Sequence, residues 1–210
     1  MYKLLTLESS RQQKLIDAGF RLFTKHGYDE TSTNELAQVA GVTKPTLFHY
    51  IESKKKFYLY LFHVSTDAIM KRYSEFAQKS TSDFLEHMRE SYFWKLTLMK
   101  ELRQEYSFVQ SVMRKPTKTD LFNEIKTSQL TVLNDTADSV YKSFDRNLFR
   151  IGIDVDKAIR LIMWSLFGYG ESLLNSGVFE GDKIDFDAIG TQYNEYIDVL
   201  KQAYYNNEIQ

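Results

Sequence analysis

From Thr31 to Lys54 the apolar residues fall in two short groups separated by a turn: Leu36, Ala37 and Ala40, then Val42, Leu47 and Ile51. Steps of three and four residues to Ala40 from Ala37 and Leu36, and of four from Leu47 to Ile51, predict two short helices with Val42 at the corner between them. Ser32 is a good N-cap, and Glu35 three residues later completes a capping box. Gly41 can take the left-handed conformation that ends the first helix. Thr43 caps the second, and Pro45 in its first turn gives up only an amide that has no helical partner. Helices this short are marginal alone, so the pair serves to hold its second member out. With Leu47 pointing inward, Lys44, Thr46, His49 and Tyr50 are left to face outward. That is a helix-turn-helix, whose expected target is DNA. Lys44 can reach a guanine edge or a phosphate, Thr46 can donate to either, and His49 offers a donor and an acceptor nitrogen to a base edge. Lys54, Lys55 and Lys56 open the next helix, where free backbone amides already favour a phosphate.

Beyond Phe57 the apolar residues keep to helical spacing, and no alternating run between turn residues predicts a strand. A long helix is expected from about Ser53 to Ala77, through Phe57, Leu61, Val64, Ala68, Ile69 and Tyr73. The next begins near Ser82, with Phe84, Leu85, Met88, Tyr92 and Leu96 on its inner face. A shorter helix follows Glu101 and stops at Lys115-Pro116, because proline disfavours helix in the residue before it. Thr119 or Asp120 caps a further one through Phe122, Ile125, Leu130, Leu133, Val140 and Phe144. Asp154 caps a helix that carries Ile159, Ile162, Met163, Leu166, Phe167, Tyr169 and Leu173, apolar around most of its circumference. One core contact does not require so much. Asp185 caps the last, with Ile189, Tyr193, Tyr196, Ile197 and Leu200.

Composition narrows the class. A chain of 210 residues with 43% hydrophobic content and two prolines reads as globular and helix-rich. The net charge of −1 is unevenly placed, since residues 1–60 hold nine Lys or Arg against six Asp or Glu. A modestly basic head on an acidic body suits contact with DNA at one end. There is no cysteine, which excludes disulfides and thiolate metal sites. The first residues lack the apolar core of a signal peptide, and no apolar run approaches the roughly 20 residues that span a bilayer. A soluble, cytoplasmic protein without membrane contact is expected.

The segment from about Gln12 to Tyr60 resembles the DNA-binding domain of the TetR family of transcriptional regulators. Ala18, Phe20, Phe23, Gly27, Tyr28, Thr31, Leu36, Ala37, Gly41, Val42, Lys44, Thr46, Leu47, Tyr50, Lys54 and Phe57 follow the family pattern in order and without a gap. The resemblance implies an all-α protein, with a three-helix helix-turn-helix domain over residues 1–55 and a helical ligand-binding and dimerisation domain over 56–210. It places Thr33, Thr43, Lys44, Thr46, His49, Tyr50 and Lys54 on DNA-contacting positions. Lys44 and His49 are expected at base edges; Thr33, Tyr50 and Lys54 at the backbone. Three residues depart from the pattern. Pro45 stands where glycine is usual and changes what touches the base there, Phe48 lacks the hydroxyl of the usual tyrosine, and Ile51 replaces a phenylalanine.

The resemblance further implies a homodimer through 155–175 and 186–205, which two-fold symmetry would place on a near-palindromic operator with half-sites about 34–36 Å apart or a multiple. It also implies a body that encloses a small-molecule inducer. Fourteen Tyr, fifteen Phe and two Trp supply ring surface for that role, and aromatic and Met side chains line adaptable apolar pockets well. Tyr92, Trp94, Phe108, Met113 and Trp164 are the candidates, Trp164 foremost because its ring N–H needs a partner when buried. The ligand expected is apolar or aromatic, an acyl chain included. No resident cofactor is expected. The alternative is a DNA-bound adaptor that recruits a protein partner and senses no small molecule. An enzyme is the remaining rival, yet no phosphate loop or nucleophile elbow is present. His26, His49, His63 and His87 lie too far apart for a ligand pattern, and Asp67 beside His63, or Glu86 and Glu90 beside His87, read as solvated surface. No catalytic or metal residue is expected.

Overall fold

The computed structural model describes residues 8–77, 81–114, 121, 125, 144–179 and 184–206. In chain order the helices are α1 (Ser9–Glu30), α2 (Thr33–Val39), α3 (Lys44–Ile51), α4 (Lys54–Ala77), α5 (Phe84–Glu101), α6 (Arg103–Arg114), α7 (Val155–Asn175) and α8 (Phe186–Tyr204). No strand occurs among the described residues; a single bridge pairs Phe149 with Tyr205. The protein is all-α, as its apolar spacing requires. The expected helix through Phe122, Leu130, Leu133 and Val140, and the stop at Lys115-Pro116, lie outside the described residues.

Packing divides the chain into two compact units, residues 1–79 with 97–137, and residues 80–96 with 138–210. In the first, α4 and α6 pack on α1. The division at residue 55 expected from the motif therefore falls inside this unit. Its centre is aromatic: Tyr58 meets Phe23 edge-on at 4.9 Å and Phe108 at 5.2 Å, and Phe20 meets Phe108 at 5.5 Å. Gly19 makes the crossing possible. A Cβ there would lie 2.7 Å from Leu61 Cδ1 and from two atoms of the Phe57 ring, closer than packed atoms approach.

The end of α1 is held by a different device. Gly27 has φ 77° and ψ 177°, a region essentially closed to residues with a side chain. The helix breaks there, and the buried Thr31 hydroxyl donates to Gly27 O at 2.6 Å. Gly27→Ala is expected to destabilise this unit by about 1–3 kcal/mol. The check is the urea midpoint, and a midpoint unchanged from the parent would show that the break tolerates a side chain.

In the second unit Asp83, Asp154 and Asp185 accept from the amides of Glu86, Lys157 and Ala188 at 3.1, 3.1 and 2.9 Å. These caps set where α5, α7 and α8 begin. Phe84, Leu85, Ala158, Ile162, Tyr193 and Ile197 form the core. Tyr92 stacks on Tyr193 with centroids 3.6 Å apart, and a Cβ on Gly190 would lie 2.8 Å from the Phe93 ring. Polar ties lock α8 to the start of α5. The Tyr205 hydroxyl donates to Asp83 at 2.8 Å and accepts from Leu85 N at 3.0 Å, Arg89 meets Asp198 at 2.6 Å, and Lys201 pairs with Glu86. His87 lies against the Phe144 ring, and burial holds its imidazole below the ordinary value.

Candidate DNA-reading site

The reading element is built from local chemistry. The Ser32 hydroxyl accepts from Asn34 N at 3.2 Å, so the cap forms at the residue expected, while Glu35 faces His26 at 3.9 Å. Gly41 is left-handed at φ 69°. Val42 N donates to Ala37 O at 2.9 Å and Gly41 N to Gln38 O at 3.1 Å, the paired bonds of a Schellman ending. Thr43 then caps α3 by accepting from Thr46 N at 3.4 Å, and the two threonine hydroxyls share a hydrogen bond at 2.8 Å.

Leu36 and Leu47 are fully buried and Ile51 nearly so, which fixes the rotation of α3. Lys44, Pro45, Thr46 and His49 are consequently exposed, as is Thr43 at the cap; Tyr50 and Thr33 are half-buried. The His49 and Tyr50 rings meet edge-on at 4.9 Å. One apolar side chain joins this outward set, Phe48, exposed at 36%. Sequence reasoning registered it only for the hydroxyl it lacks.

Lys54, expected at the DNA backbone, also makes internal contacts. Its Nζ donates to Tyr28 O at 2.8 Å, Thr31 O at 3.1 Å and Asp29 O at 3.3 Å, and lies 4.5 Å from the Tyr28 ring centroid. An ammonium has three protons to give, and all are committed to the broken end of α1. Lys56 pairs with Glu52 at 2.5 Å, and Lys55 is exposed on the same turn of α4. Between α3 and α4, Glu52 has φ 61° and ψ −51°, with Ser53 N donating to Ile51 O at 2.6 Å. This is a γ-turn, a strained conformation for a residue with a side chain.

The residues expected around a ligand scatter. Tyr92 and Trp94 are half-buried on α5. Phe108 is fully buried in the aromatic centre of the first unit, and Met113 is 41% exposed on α6. Trp164, the foremost of these candidates, is 68% exposed, because Ala158 and Ile162 take the inward register of α7. It shares its side of α7 with Leu161 and Phe167, and Tyr196 and Val199 are exposed on α8. The Tyr169 ring meets Tyr196 at 4.9 Å and so joins these two helices. Among the described residues no group of three His, Cys, Asp or Glu could hold a metal ion, and no helix is long and apolar enough to cross a membrane.

Residues 15–61 match the family model for bacterial regulatory proteins of the tetR family. Over 195 residues the chain is 20% identical to the HTH-type transcriptional regulator AcrR of Shigella flexneri, an alignment that spans 92% of this chain and 88% of that protein. Its fold is similar to that of the ketosteroid transcriptional regulator KstR2 of Mycobacterium tuberculosis, with TM-score 0.67 and 17% identity over 96% of this chain and 97% of that one. A further similar structure is AibR in complex with isovaleryl coenzyme A and operator DNA, with TM-score 0.62 and 14% identity over 90% and 97%. Residues 15–61 therefore match the tetR-family model in sequence, and along nearly the whole chain the protein has a TetR-like fold, an N-terminal helix-turn-helix domain followed by a helical domain.

Proposed function

We propose that the protein is a homodimeric repressor, released from a near-palindromic operator by a small apolar or aromatic molecule. The observation that carries this reading is the apolar face left uncovered on α7 and α8. Leu161, Trp164, Phe167, Tyr196 and Val199 are exposed between 46 and 70%, and large exposed apolar side chains gathered on an element mark interaction surfaces. A Cβ on Gly168 or Gly170 would meet nothing within 4 Å, so both positions of this helix face open space. A second copy related by a twofold fits such a surface.

On DNA, Lys44 and His49 address base edges, and Thr33, Thr43, Thr46 and Tyr50 flank them toward the backbone. Pro45 stiffens the entry to the helix. Tyr92 and Trp94 remain the residues proposed to face a ligand. Phe108 serves as core and Trp164 as dimer surface. An acyl thioester is a reasonable first ligand to try, since the similarly folded AibR was captured with isovaleryl coenzyme A. A coupling of about 1–3 kcal/mol between ligand and DNA sites loosens binding roughly 5- to 150-fold, enough to empty an operator.

The test is a titration against the DNA flanking the protein's own gene, at two salt concentrations, with Lys44→Ala alongside. The expected result is tight binding to one near-palindromic segment, weakened by salt and by about 1–3 kcal/mol in the variant. Weak binding, equal across all fragments, overturns the operator reading. The bound complex is then challenged with acyl coenzyme A thioesters. A compound that binds equally well with and without operator is no inducer, and the ligand reading fails if every binder in the panel behaves so.

A further inference from the structure

We propose that Phe48 is a specificity-determining residue that reads the 5-methyl group of a thymine in the operator. The inference rests on the DNA-reading role of α3 and assigns a base identity to it. Leu47 and Ile51 bury the neighbouring positions at 0 and 3%, which turns the Phe48 ring away from the core to 36% exposure. Lys44 lies one helical turn before it, so the two side chains share a flank of α3. His49, the next residue, is also exposed, and its ring meets Tyr50 edge-on.

An aromatic ring held in water at the tip of a reading helix gains by finding an apolar partner. In the major groove every base pair displays hydrogen-bonding edges, and the thymine methyl is the one apolar group among them. Phe48 has no hydroxyl with which to bond a phosphate instead. Lys44 and Phe48 are four residues apart, about 6 Å along the helix axis, which spans roughly two base-pair steps. The operator half-site should therefore carry a thymine within about two steps of the guanine or phosphate that Lys44 contacts.

The experiment alters the DNA first, so it does not depend on a variant folding. In an operator bound by the full chain, each thymidine of one half-site is replaced in turn by deoxyuridine, which keeps base pairing and loses only the methyl. The expected result is one position at which affinity falls about fourfold, the effect of exposing a buried methyl group. In Phe48→Ala the same replacement changes affinity less than about twofold, while Phe48→Leu retains the sensitivity. If deoxyuridine is neutral at every position in the parent protein, Phe48 does not read thymine, although the regulator reading stands. If Phe48→Ala keeps the full methyl dependence, another residue reads it and the assignment is overturned. Failure to bind any segment specifically removes both the assignment and the repressor reading on which it rests.

Discussion

Replacing Lys54 with methionine is expected to lower the stability of the first unit by about 3 kcal/mol, seen as a fall in the urea midpoint. Methionine keeps the apolar stem and removes only the charged head. That head holds Tyr28 O, Asp29 O and Thr31 O at 2.8 to 3.3 Å. These carbonyls follow the break at Gly27, so no continuing helix supplies their amides. A cation at a helix C-terminus also balances the partial negative charge gathered there. Losing it leaves several acceptors short of partners at once, which costs more than one neutral hydrogen bond. Lys55→Met, on the exposed neighbouring position, should shift the midpoint by less than about 0.5 kcal/mol. The same variants decide between the two roles open to Lys54. A phosphate contact would leave the midpoint alone and reduce the slope of log affinity against log salt by about one. The clamp predicts the reverse: a lowered midpoint, with the salt slope unchanged at a temperature where the variant stays folded.

This difference shows what the sequence carries and what it does not. Thr43, Asp154 and Asp185 cap the helices expected of them because a cap bonds amides two or three residues away. Gly41 ends α2 for the same local reason. Lys54 bonds carbonyls 23 to 26 residues upstream, a relation that helical periodicity does not encode. Its place in a lysine triplet at a helix start points to phosphate, and the three carbonyl bonds are invisible to that reading. Trp164 illustrates a second limit. On a helix apolar around most of its circumference, pattern alone does not tell the inward stripe from the outward one, and the side is set by which register meets Phe84, Tyr193 and Ile197. The capping box shows a finer one. Ser32 and Glu35 have the right spacing, yet Glu35 turns to His26, a partner supplied by α1. Residue types on α3 were legible throughout; the exposure of Phe48 required knowing where its neighbours are buried.

Trp164→Glu is expected to separate the proposed dimer, weakening self-association by roughly 1,000-fold or more as read by sedimentation. The magnitude follows from symmetry. An aromatic anchor at an interface centre contributes about 2 kcal/mol or more, and a twofold places the substitution on both sides of the contact, so the loss counts twice. Glutamate also sets two like charges near the axis. The protomer should tolerate the change, because Trp164 is 68% exposed, and its thermal midpoint measured at low concentration should move little. Operator binding separates assembly from reading. A duplex with one half-site should bind parent and variant alike, since α3 is untouched. The full operator should lose the advantage that linked half-sites confer, which reaches about 100-fold or more where both engage together. Ile151→Glu is the matched control: that side chain is 98% exposed and apolar, but lies in the turn before α7 rather than on its face. It should leave both association and operator affinity unchanged. A Trp164→Glu protein that remains dimeric, and binds the full operator as the parent does, would place the twofold contact elsewhere on the chain and return the exposed face of α7 and α8 to the adaptor reading, as a surface for a different protein.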